Sequence, residues 1–178
     1  MLEAMDWKEL LLEGYGRIPD GLHRCLEGLT PEQLAFRPGD EANSIAWLAW
    51  HTGRVQDDHI ADLAGRPQIW IEEGWHAKFD KPADPGDTGF GYTAEQVAAF
   101  RPGSAQLLGD YYDAVHRHSV GFIQSLAPSD LDRVIDERWD PPVTAGVRLI
   151  SVLADCLHHS GQMDYVRGLI EQRRWFPA

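Results

Sequence analysis

The sequence predicts an all-α fold, a four-helix bundle with a long connection between its second and third long helices. Three observations predict it. Apolar residues recur at three- and four-residue steps through four separate segments. Helix-start signals of the capping kind stand before several helical stretches. No period-2 alternation persists anywhere, so no sheet is expected. With 178 residues and 43% hydrophobic content the chain can bury one substantial core, and the expectation is a single domain over 1–178.

The first helical segment runs roughly from Asp6 to Leu29. Its buried stripe is Leu11, Tyr15, Ile18, Leu22, Cys25, Leu26 and Leu29, with a kink expected at Pro19. Thr30-Pro31-Glu32-Gln33 reads as an N-cap, a proline at the first helical position and a capping-box Gln, so a short helix starts there. The second long helix starts at Asn43 or Ser44 and runs to Gly65, with Trp47, Leu48, His51 and Val55 on one face. Residues 66–92 are rich in Pro and Gly and form an excursion, with a short helix expected around Ile71 to Lys78. Connections of that length inside a compact domain are usually functional or flexible.

Thr93-Ala94-Glu95-Gln96 is a second capping box, and Gly103-Ser104 restarts a helix whose stripe is Leu108, Tyr111, Val115, His118, Phe122 and Leu126. Pro128 and Pro141-Pro142 bracket a connector containing Trp139. The last helix spans about Thr144 to Gln172. Four long helices with connections of differing length pack naturally as a bundle.

Charge excludes some functions. Twenty-eight acidic residues stand against 16 Lys and Arg, a net charge of −12. Nucleic-acid binding needs a basic groove, which is absent, and the same charge disfavours anionic membrane surfaces. The N-terminus is acidic where a signal peptide would be basic, and no apolar run approaches the ~20 residues of a spanning helix. Cys25 and Cys156 sit in apolar helical contexts and read as buried free thiols. A cytoplasmic protein is the expectation.

The last helix carries the most informative constellation. Asp155 and His159 are four residues apart, so they project from one face one turn apart, and Gln162 extends the stripe. A carboxylate and an imidazole at that spacing can share one cation, with His51 of the second long helix as the third ligand. Two nitrogens and one carboxylate oxygen suit zinc, nickel or iron(II). On spacing alone a second reading stands beside it: the stripe is a solvated helix face and His51 a core histidine bonded to a backbone carbonyl.

The neighbours read more plainly. His158 points about 100° away from the stripe, as surface or packing, and Cys156 is core filler. Trp47 reads as packing that can also wall a pocket. Glu72 and His76 read as solvated, and His118 as a satisfied core histidine. Arg54 and Asp58 either orient a ligand or form a surface ion pair. Leu149, Leu153 and Leu157, opposite the ligand stripe, offer a face for a homodimer or for another helix of the same chain.

Three stretches together resemble the DinB-like superfamily, which includes mycothiol-dependent maleylpyruvate isomerase and related thiol S-transferases. They are the first segment, the WLAWHTGRV helix with its mid-helix His51, and the closing SVLADCLHHSGQMDYVRGL. The similarity runs from about residue 6 to 172 and takes in the turn Gly89-Phe90-Gly91-Tyr92-Thr93. The resemblance implies a four-helix bundle whose divalent metal, zinc first and nickel or iron as alternatives, is held by His51, Asp155 and His159. Many members carry His, and some Glu, where this chain has the shorter Asp155.

The resemblance further implies a low-molecular-weight-thiol S-transferase of the mycothiol type. Its partners would be a small-molecule thiol and an electrophile, with the metal generating thiolate. The excursion 66–92 would cover the pocket. Some relatives carry a further C-terminal domain that contributes to the site. Here the expectation is a site completed by the bundle or by a second subunit. A metal-dependent hydrolase and a non-catalytic stress-related scaffold are the alternatives.

Overall fold

A computed structural model describes residues 5–174; the ends of the expected 1–178 span lie outside them. The four long helices are α1 (Trp7–Leu26), α3 (Ile45–Ala64), α7 (Ala105–Ser125) and α8 (Ala145–Glu171). Short helices fill the connections: α2 (Pro31–Leu34), α4 (Ile69–Glu72), α5 (Trp75–Lys78) and α6 (Ala94–Ala99). Among the described residues no helix is long and apolar enough to cross a membrane.

Caps set the boundaries. Thr30 and Thr93 each close a capping box, with Gln33 and Gln96 reaching back to the cap nitrogen. The Ser44, Ser104 and Thr144 hydroxyls accept from the third backbone N–H of α3, α7 and α8. Asp6 and Glu9 form a further box at the start of α1. At the other end of α1, buried Arg167 donates to the Cys25 and Glu27 carbonyls at 2.5 and 2.7 Å, satisfying acceptors that the helix leaves open.

The packing places α7 and α8 each between α1 and α3, so α1 and α3 lie on one diagonal of the bundle. Leu149 is buried, Leu153 packs against Gly14 of α1, and the Tyr15 hydroxyl donates to the Leu149 carbonyl at 2.9 Å. Those two leucines therefore serve the chain's own interior, while Leu157 stays partly exposed. Gln56, in the bundle centre, is satisfied: it accepts from Tyr112 at 2.6 Å and donates to Ser119 at 2.8 Å.

Two expectations need correction. A small antiparallel sheet pairs β1 (Val134–Asp136) with β2 (Val143–Thr144), with a register irregularity between Val134 and Asp136. Strands this short carry no measurable alternation. The helix expected over Ile71 to Lys78 is two helices, α4 and α5, broken at Gly74, whose φ of 68° is left-handed.

The excursion is fastened down rather than loose. Arg54, fully buried on α3, spends its guanidinium on five hydrogen bonds. It donates to the Asp87 and Pro85 carbonyls, each at 2.9 Å, to Gln68 at 2.7 Å, and to Asp57 and the Tyr111 hydroxyl at 3.3 Å. Arg54 is thus not a surface ion pair with Asp58; it holds the backbone next to Thr88. Lys81 adds a second clasp, donating to Asp87 at 2.8 Å and to Tyr92 at 2.7 Å above the Trp50 ring.

Candidate metal centre

His51 stands at mid-length of α3, and Asp155 and His159 stand one turn apart on α8, the helix that packs against α3. One ligand atom from each lies within 4.8 Å of the others, close enough for one ion to reach all three after small side-chain rotations. Among the described residues this is the group of His, Cys, Asp and Glu so arranged. Asp155 reaches despite its short side chain, with Oδ2 3.6 Å from His159 Nε2.

Both imidazoles are pre-oriented. His51 Nδ1 lies 2.5 Å from the Thr88 carbonyl, so this nitrogen carries the hydrogen and Nε2 keeps its lone pair. His159 Nδ1 lies 2.8 Å from Gln162 Oε1, which frees Nε2 in the same way. A metal-binding imidazole typically has its second nitrogen held like this. Burial lowers the His51 pKa, opposed by the Thr88 bond, and so favours the neutral, ligating form.

The donor set fits a cation in one further respect. Asp155 Oδ2 is itself shielded from water and has no hydrogen-bond partner, although the side chain as a whole is 42% exposed. A carboxylate oxygen shielded from water and without a hydrogen-bond donor is suited to a cation, which would supply its partner.

Trp47 walls the site as well as packing the core. Its ring stacks on His51 with centroids 4.5 Å apart and meets His159 edge-on at 6.5 Å. The excursion closes another side, for Gly89 has a φ of +85° and lies directly against this cluster. A Cβ there would sit 2.8 Å from Trp50, 3.2 Å from Trp47 and 3.3 Å from His51 Nδ1. Gly89→Ala is therefore expected to push the Thr88 carbonyl off His51 and weaken zinc binding by about 10–100-fold, read by competition with a chromophoric chelator. Unchanged affinity would contradict this role for the loop.

The other sequence candidates fall elsewhere. His158 is exposed, and Cys156 is fully buried with its thiol pKa raised by burial. His118 is half-buried and pairs with Glu73 at 3.2 Å. Glu72 is exposed, and His76 lies on the next helix with Nδ1 3.3 Å from the Lys81 carbonyl. Asp58 lines the cleft beside the ligand cluster and accepts from Gln68 at 2.7 Å. Sequence reasoning missed the Thr88 carbonyl, a backbone group 37 residues away from His51 that no motif marks.

The sequence pattern of the DinB superfamily matches residues 15–163. No match is found among curated proteins. Among solved structures, the chain is similar to the crystal structure of the conserved protein of locus from Enterococcus faecalis, with 32% identity and a TM-score of 0.88. The match covers 96% of this chain and 100% of that one. Most of the bundle, from mid-α1 into α8 and including all three candidate ligands, falls inside the matched span, and the chain belongs to the DinB superfamily.

Proposed function

We propose that this protein is a divalent-metal-dependent enzyme, a low-molecular-weight-thiol S-transferase with His51, Asp155 and His159 as its metal ligands. The observation that carries the reading is a carboxylate and two imidazoles with ligand atoms within 4.8 Å of one another, the Asp155 Oδ2 without a hydrogen bond and both Nδ1 atoms already engaged. When bound, the ion would act as a Lewis acid that lowers the pKa of a thiol and so supplies thiolate near neutral pH. Zinc suits two nitrogens and one oxygen, with nickel or iron(II) as alternatives.

The chain's own residues set the rest. Thr88 and Gln162 hold the imidazole tautomers, and the Trp47 ring limits rotation of His51. A cleft of about 460 Å³ opens beside the site, with Val55 and Val152 as apolar wall and Phe90 of the excursion at its rim. Neither cysteine is suited to be the nucleophile, because both are buried; burial pushes the Cys25 thiol up to about 12 and raises Cys156 as well. The nucleophilic sulfur must therefore arrive with a small-molecule thiol, mycothiol or another.

The test is turnover of a model aryl halide by zinc-reconstituted protein, with and without added thiol. Thiol-dependent product formation that stops on chelation and is absent in His51→Ala is expected. Thiol-independent turnover would instead assign a metal-dependent hydrolase, and bound metal without turnover a non-catalytic scaffold.

A further inference from the structure

The cleft beside the ligand cluster has a second chemically distinct end. Seven residues before Asp155 on α8, and thus about 10 Å along the helix, stands Arg148; eight residues after His51 on α3 stands His59. Both line the cleft, and the Arg148 guanidinium donates to His59 Nδ1 at 2.9 Å. That bond makes Nδ1 the acceptor and leaves the hydrogen on Nε2, so His59 is itself a donor. Burial and the adjacent guanidinium lower the His59 pKa, in keeping with a neutral ring.

Arg148 is unusual in its choice of partner. A guanidinium has five N–H donors in a planar fork suited to carboxylates, and here one is spent on a neutral imidazole. Among the described residues no carboxylate oxygen lies nearer to it than Asp136 Oδ2, at 3.8 Å. Asp136 is already clasped by Arg138, which donates from Nε at 2.9 Å, from a terminal nitrogen at 2.8 Å and from its backbone at 3.0 Å. The other acid at this end, Asp58, accepts from Gln68 and faces His59 Nδ1 at 3.7 Å. Arg148 is only 19% exposed, and the one carboxylate within ion-pair distance among the described residues is shared with Arg138 at closer range, so the guanidinium keeps donors facing the cleft.

We infer that Arg148, with His59 beside it, forms a carboxylate subsite that selects small-molecule substrates bearing an acid group about two helical turns from the reacting atom. The inference rests on the proposed metal-thiol reading for what happens at the other end. The acid group can belong to the thiol or to the electrophile, and the alternative role for Arg148 is a purely structural tie to the β1–β2 hairpin.

Calorimetric titration separates these. The probes are mercaptohexanoate against mercaptohexanol, and a chloronitrobenzoate against the corresponding benzyl alcohol. Each is titrated into zinc-loaded and metal-free protein, as parent, Arg148→Gln and Arg148→Lys. In the parent, the acid of one pair should bind about tenfold more tightly than its alcohol, the order expected of one charge-assisted hydrogen bond. Arg148→Gln should bind acid and alcohol alike, with the alcohol's affinity unchanged, and Arg148→Lys should keep part of the preference. The pair that shows it identifies which substrate carries the acid.

Absence of preference in both pairs, absence of acid binding, or a preference that survives Arg148→Gln would overturn the subsite. So would a preference that disappears on removal of zinc, since the acid would then be held by the ion. Thiol affinities that ignore zinc, with the Arg148-dependent preference intact, would support the subsite and remove the thiol-activation reading.

Discussion

Arg54→Met is expected to destabilise the fold by about 3–5 kcal/mol, the cost of breaking a buried ion pair from one side. The substitution strands Asp57, which is buried and also accepts from the Ile69 and Trp70 nitrogens that open α4. Burial holds the Asp57 carboxyl above its ordinary pKa even with Arg54, Tyr111 and two backbone donors opposing it. Without Arg54 it should rise further, so the folded variant binds more protons than the unfolded chain. Stability then falls as pH rises, and the deficit should be larger at about pH 8 than at about pH 5. Urea unfolding at both pH values checks the size and the sign; a cost below about 1 kcal/mol would contradict the hub. The same variant releases the Asp87 carbonyl, next to the Thr88 carbonyl on His51, so zinc affinity should fall with it.

Zinc is expected to raise the melting temperature of metal-free parent protein and to leave His51→Ala and His159→Ala unmoved. The ligands come from α3 and α8, so an ion between them binds the folded chain and has no such site in the unfolded one. At free zinc about a thousandfold above Kd the stabilisation is about 4 kcal/mol. Thermal unfolding followed by circular dichroism, with and without zinc, reads it directly. An equal shift in the parent and in both variants would mean that zinc acts elsewhere on the chain.

Much of the bundle was legible because its signals are local. Ser44, Thr30, Thr93, Ser104 and Thr144 declare helix starts within four residues of sequence, and the structure uses each as a cap. The juxtaposition of Asp155 and His159 follows from helical pitch alone. Bringing His51 to them is a tertiary fact, which the resemblance implied and spacing left open. What stayed hidden depends on distant backbone. Arg54 reads from sequence, with Asp58, as orienting a ligand or forming a surface ion pair, yet its partners include the Pro85 and Asp87 carbonyls, some thirty residues on. The β1–β2 hairpin was invisible because three residues and two are too few to show a period. The Pro- and Gly-rich composition of 66–92 suggested mobility; polar clasps by Arg54 and Lys81 override it.

Metal content decides the central claim most directly. Parent protein reconstituted with zinc and freed of excess should hold close to one ion per chain, measured by elemental analysis. His51→Ala, Asp155→Ala and His159→Ala, treated identically and shown to be folded, should each hold almost none. Zinc absent from the reconstituted parent, or retained in all three variants, would contradict the assignment of the centre to these residues.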